Sequence, residues 1–308
     1  MWLILVSISV VLNTMILYLD NYIGDVHFKG KHSVGAKTFY GWQYIFFAIC
    51  MFFIFQVDLS ANPVWVYFAI IGTGLIASVA SIAYYRALEI EDSTNIAIFI
   101  QLAPVFYLIF GWFLLNERFS PMQFVSFAVI LMAPFLIVAK TRKNRRQAKL
   151  RAIALATTYV IISVLGNILF VKVNDSISIE YTTAITFLFV GKGVGNVFVT
   201  HVINRKWNER YHYVVKATKG SVYLPLCIDG FLCLFADFTY RLALLVAPAV
   251  ALASAASDST EPIVVFIFGI ILTLINPKFG REKLDKKTVL VHIGATLLVA
   301  TGIALMQI

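Results

Sequence analysis

The chain has 308 residues, of which 60% are hydrophobic and 13% charged, against about 25% charged in an ordinary soluble domain. That composition excludes a soluble globular domain and predicts an integral membrane protein. Lys+Arg outnumber Asp+Glu by 25 to 16, but most of the basic residues lie between apolar runs, so the excess reads as membrane topology and nucleic acid is not an expected partner.

Crossing a hydrocarbon core of ~30 Å takes about 20 apolar residues per helix. Ten runs meet this in chain order, at 2–23, 40–57, 64–86, 94–115, 122–139, 152–172, 182–203, 221–244, 248–274 and 288–307. Their length and continuous apolarity favour helices over barrel strands, which alternate over about 10 residues. The first run continues through "ILYLDNYI" with no basic leader or small-residue cleavage site, so it reads as a retained span rather than a signal peptide. Cys50, Cys227 and Cys233 all fall inside apolar runs without metal-ligand or redox spacing. The expected class is an all-α membrane protein with no metal and no cofactor.

The loop charges separate two faces. Lys29, Lys31, Lys37, Arg86, the cluster 140–151, and the basic residues of 205–219 and 278–287 fall on one side, whereas Arg118, Lys172 and Arg241 are assigned to the other. The positive-inside rule places the first set in the cytoplasm and both termini outside a cell membrane. The run "KTRKNRRQAKLR" reads as a solvated cytoplasmic linker with affinity for anionic lipid.

The chain repeats itself at an offset of about 154 residues. "ISVVLN" at 8–13 overlays "ISVLGN" at 162–167, Tyr85-Arg86 overlays Tyr240-Arg241, and "QLAPVFYLIFG" overlays "STEPIVVFIFG" through Pro104/Pro262 and the shared Ile-Phe-Gly. Residues 1–139 and 152–308 are thus two five-helix repeats joined by 140–151. Five is odd, so the second repeat enters the membrane inverted relative to the first. The connection after span two accordingly has no Lys or Arg, while its counterpart after span seven has five. Inverted repeats are the architecture of alternating-access carriers, with the site at their interface.

The stretch "AYYRALEIEDSTNIAIFIQLAPVFYLIFGWFLLNERFSPMQFVSFAVILMAPFLIV" resembles the EamA-type half of the drug/metabolite transporter superfamily. Its features are a tyrosine-rich end of span three, a "PVF" core, the Asn116-Glu117-Arg118 turn and a closing apolar span. "TYRLALL" and "STEPIVVFIFG" resemble the same pattern in the second half. The resemblance implies a ten-helix bundle whose helices one, three, four, six, eight and nine surround a substrate cavity. It also implies cytoplasmic termini, the reverse of what the charges of this chain predict.

Ionised groups in hydrocarbon cost at least about 2.5–3.5 kcal/mol each, so each needs a reason. Asp229, Asp237, Asp258, Glu261 and Lys192 stand inside spans of the second half, where the aligned first-half positions are mostly neutral. Asp258 and Glu261 share a helix face with Ser254, and Asp229, Cys233, Asp237 and Arg241 recur every four residues. Glu261, with Asp258, is the first candidate to bind a proton or a cationic substrate group near mid-depth. Asp237 with Arg241 also fits a plain i,i+4 ion pair, and Lys192 in "GKGVG" fits a packing face whose lysine pairs with an acid. Asn13, Asn167 and Gln101 are candidate substrate contacts or interhelical glue. Tyr84, Tyr85 and Tyr240 suit either the cavity or an interfacial belt. Pro104 and Pro262 each remove one backbone donor and are candidate hinges.

The expected function is a secondary carrier of a small polar or amphipathic metabolite, amino-acid-like or drug-like, in either a proton-coupled or a facilitated mode, and not an enzyme. An intramembrane lipid-modifying enzyme would need a nucleophile with a base or metal ligands, and no HExxH, GxSxG or paired His is present. A non-transporting sensor or partner subunit leaves the repeated prolines without a purpose.

Overall fold

The computed structural model describes residues 1–28, 33–91, 96, 99–100, 102–116, 118, 120–122, 124–126, 128–129, 132, 146–177, 179–203, 205–247, 250–275, 290, 293–294, 297–298, 300–302 and 304–305. Every regular element among them is helical. In chain order these are α1 (Trp2–Val26), α2 (Ser33–Ile54), α3 (Val64–Leu88), α4 (Ala103–Phe110), α5 (Arg146–Ile177), α6 (Tyr181–Phe198), α7 (Arg205–Ala217), α8 (Tyr223–Val246) and α9 (Val250–Ile275). Four helical stretches among the described residues are long and apolar enough to cross a membrane, Trp2–Gly24, Val64–Leu88, Leu150–Ile177 and Tyr181–Val202; Phe39–Ile54 and Ala103–Leu115 are shorter apolar helices. Helices α8 and α9 have the length, 24 and 26 residues, and carry charges inside them. Spans five and ten fall largely outside the described residues. Trp42, Phe46, Phe53, Trp65 and Phe68 are exposed on helix faces, the outward apolar surface expected of helices solvated by lipid. The protein is a multi-pass membrane protein.

Three boundaries differ from the sequence reading. Helix α5 starts at Arg146, inside the stretch read as linker. Arg, Gln, Ala, Lys and Leu are all good helix formers, and 32 residues give a helix of about 48 Å, longer than the hydrocarbon core. The stretch after α6, read as a charged connection, is the amphipathic helix α7. It buries Tyr211 and Val214, packs against α2, and its Arg210 guanidinium donates to the Phe28 carbonyl at 3.4 Å. A search for continuous apolar runs overlooks such a helix. The third difference concerns Pro104, which sits in the first turn of α4. There a missing N–H belongs to a group that has no intrahelical partner in any case, and Pro104 follows helical residues 99–100 and a turn at Leu102. Pro262 lies inside α9. The two aligned prolines therefore occupy different backbone settings.

Helices of the first half pack mainly on helices of the second. Helix α1 lies against α8 and α9, α2 against α6, α3 against α5 and α6, and α4 against α5 and α9. Side-chain hydroxyls tie these pairs to backbone carbonyls: Ser9 donates to Ala236 at 3.0 Å, Tyr18 to Val265 at 2.8 Å and Ser78 to Lys192 at 2.8 Å. In hydrocarbon such bonds and close van der Waals contact replace the hydrophobic effect between helices. The closest approach is α3 on α6. A Cβ built on Gly191 would collide with the Ile71 carbonyl oxygen, and one on Gly74 with that of Leu188. In the turn between α2 and α3, the Ser60 amide and hydroxyl donate to Asp58 at 2.8 and 2.7 Å, which holds that carboxyl below its usual range.

Candidate functional site

The helices enclose a cavity of about 300 Å³ lined by α1 to α6, α8 and α9. Asn13 and Asp20 reach it from α1, Tyr84 and Tyr85 from α3, Tyr107 from α4, and Tyr159 and Asn167 from α5. Lys192 enters from α6, Asp237, Tyr240 and Arg241 from α8, and Asp258 and Glu261 from α9. Seven of the eight candidate substrate contacts thus meet at one cavity: Glu261, Asp258, Asn13, Asn167, Asp237, Tyr84 and Lys192. Gln101 lies outside the described residues. Tyr84, Tyr85 and Tyr240 face the cavity and not an interfacial belt. Tyr44 and Lys192 add α2 and α6 to the six walls implied by the family resemblance.

One wall is cationic. Lys192 pairs with one oxygen of Asp237, and the Arg241 Nε donates to the other at 3.1 Å. Arg241 also donates to the Asn167 Oδ1, and the Asn167 amide donates in turn to the Tyr107 hydroxyl, which lies 3.2 Å from that of Tyr240. The guanidinium rests 5.7 Å from the Phe170 ring centroid, and the Lys192 ammonium 5.5 Å from that of Tyr44. Local sequence explains the placement. Asp237 and Arg241 are one helical turn apart, which brings their side chains together. Gly191 and Gly195 seat α6 on α3 while Gly193 seats it on α2, and Lys192, between these contacts, is directed to the cavity.

The same cavity also has acidic side chains. On α9 the Ser254 hydroxyl donates to Asp258 Oδ2 at 2.8 Å. Glu261 follows three residues on, beside Tyr84 and Tyr159, which are among its electrostatic neighbours. Among the described residues no Lys, Arg or His forms an ion pair with Asp258 or Glu261. Asp20 adds a carboxyl from α1 and accepts from the Tyr40 hydroxyl at 3.5 Å. Asp229 is fully buried and does not line the cavity. Neither of its oxygens has a hydrogen bond of ordinary geometry, although the Asp20 carboxyl is its electrostatic neighbour. The stripe Asp229, Cys233, Asp237, Arg241 therefore splits, with the last three at the cavity and the first behind it.

Two residues escaped or misled the sequence reading. Asp20, inside span one, was not among the candidates, and it brings an acid of the first half to the cavity. Arg241 was counted as a loop charge, yet it is buried at 3% exposure. Its aligned partner, Arg86, is exposed at the end of α3. The i,i+4 spacing of Asp237 and Arg241, read in the sequence as an ion pair, is the signal that sets Arg241 apart from a loop charge.

Residues 28–139 match the EamA-like transporter family. No curated protein matches the chain. A solved structure titled "Crystal structure of protein" is similar to 98% of this chain over 99% of its own, with a TM-score of 0.61 and 14% identity. At that identity the likeness concerns the fold alone.

Proposed function

Starting from the EamA-like transporter match in the first half, we propose that the chain is a secondary carrier in which two inverted five-helix repeats open the central cavity to each side of the membrane in turn. The packing pattern supports the repeat. Exchanging α1 with α5, α2 with α6, α3 with α8 and α4 with α9 converts the α1–α8 contact into α3–α5 and α1–α9 into α4–α5, and leaves α2–α6 and α4–α9 unchanged; all of these contacts are present. The cavity lies where the two halves meet, the place a carrier of this design needs its site.

The observation that carries the reading is a polar cavity whose acids, Asp258 and Glu261, have no cation partner among the described residues. A buried carboxyl in that setting accepts a proton or an ammonium group, so the transported molecule is a small polar or amphipathic metabolite with a cationic group, and protons compete with it at Glu261. In proteoliposomes loaded with an unlabelled amine and amino-acid mixture, labelled members of the mixture are expected to show counterflow. Glu261→Gln lowers it at least tenfold, and Glu209→Gln on the exposed face of α7 leaves it unchanged. Chemical turnover of the probes without translocation would overturn the carrier reading.

The charge distribution supports termini outside and the basic stretches in the cytoplasm, the arrangement from which efflux draws on cytoplasmic substrate. In a cysteine-free background, an impermeant maleimide added to intact cells is expected to label Ala61→Cys in the α2–α3 turn and to miss Lys206→Cys on α7. The opposite pattern reverses the assignment.

A further inference from the structure

Among the described residues Asp237 is the single carboxylate in ion-pair contact with both Lys192 and Arg241. The three side chains are 12%, 14% and 4% exposed, so two cations share one anion at a site largely removed from solvent. Asn167, Tyr107 and Tyr240 continue the network with neutral groups, and Phe170 and Tyr44 supply ring faces. None of these cancels the second positive charge. Asp258 and Glu261 belong to a different helix and make no ion pair with either cation.

We propose that Lys192 and Arg241, held by Asp237, form a seat for an anionic oxygen group of the transported molecule, a carboxylate or a phosphate. Arg241 is the fixed member, since Asp237, Asn167 and the Phe170 ring hold its guanidinium on three sides. Lys192 is the contacting member, because an ammonium has three donors, pairs with one Asp237 oxygen and lines the cavity. An arriving anion balances the surplus charge and gains a charge-assisted hydrogen bond. The inference rests on the carrier reading and completes its substrate class: with a cationic group at Asp258 and Glu261, the occupant is dipolar, its anionic end toward α6 and α8 and its cationic end toward α9.

The test uses the full chain in lipid nanodiscs and sets of probes sharing one carbon skeleton: each common amino acid, the amine lacking its carboxylate, the acid lacking its amine, and the aminophosphonate. At least one amino acid or aminophosphonate is expected to raise the melting temperature at a concentration tenfold or more below its parent amine, and which of the two binds tighter identifies the anion. Lys192→Gln abolishes that preference while Lys192→Arg retains it. Lys192→Gln leaves Asp237 and Arg241 as a balanced pair, so the variant folds, and a monodisperse elution profile checks this. Amines binding as tightly as their dipolar parents, a preference that survives Lys192→Gln, or a panel in which no dipolar probe binds would each overturn the seat. Dipolar binding without counterflow would instead defeat the carrier reading and leave the seat standing, whereas counterflow of amines without preference would defeat the seat alone.

Discussion

Asp237→Ala is expected to destabilise the folded protein by about 3–5 kcal/mol, the range measured when one partner of a buried ion pair is removed and an uncompensated charge remains. Here the residue lost is the common partner of both cations, so the variant must hold two positive charges among apolar helices. Lys192→Gln and Arg241→Met each remove one cation and leave a one-to-one pair with Asp237. The charge count therefore predicts an order that side-chain volume does not: the smallest of the three residues gives the largest loss. Thermal unfolding in one detergent, followed by the monodisperse fraction after heating, ranks the three. Asp237→Ala melting level with Lys192→Gln would overturn the account in which one carboxylate holds both cations.

Gly191→Leu is expected to abolish recovery of monodisperse protein. Overpacking a core costs roughly 1–3 kcal/mol when side chains can yield, but the first atoms a Cβ would meet here are the backbone oxygen and carbon of Ile71 and the Gly74 Cα at 3.0 Å. Backbone cannot change rotamer, so α3 and α6 must separate, which also strains the Ser78 bond to the Lys192 carbonyl and displaces Lys192. Gly72 offers the matched comparison on α3, since a Cβ there meets nothing within 4 Å. Gly72→Ala is expected to be neutral or stabilising by about 0.5–1 kcal/mol through reduced backbone entropy in the unfolded chain. Equal losses at both positions would refute the close-packing account.

Much of the site was legible in one dimension because burying charge in hydrocarbon is costly and a sequence shows where it is done. Asp237, Asp258, Glu261 and Lys192 stand out in their spans for that reason alone. Their i,i+3 and i,i+4 spacings also placed Ser254 with Asp258 and Asp237 with Arg241, since helix geometry is local. Local rules failed where a residue's meaning depends on a neighbour distant in sequence. Arg241 and Arg86 occupy aligned positions, and only the Asp237 and Asn167 side chains make one a buried network member while the other stays exposed. Asp20 was passed over because its place at the cavity depends on how α1 packs against α8. Pro104 resembled Pro262 in sequence, but one begins a helix and the other lies within one.

By itself the sequence determined the solvent: composition and the length of the apolar runs require a bilayer. It also determined that charge is kept within the spans, since each ionised group there carries an energetic cost that local helix structure does not offset. The tertiary structure decided which charges face one another. Residues 192 and 237 are far apart along the chain, and no periodicity links helices that meet only when the two halves interleave. Their pairing, and the surplus positive charge it leaves in the cavity that the acids of α9 also line, follow from helix packing set by glycines and backbone carbonyls.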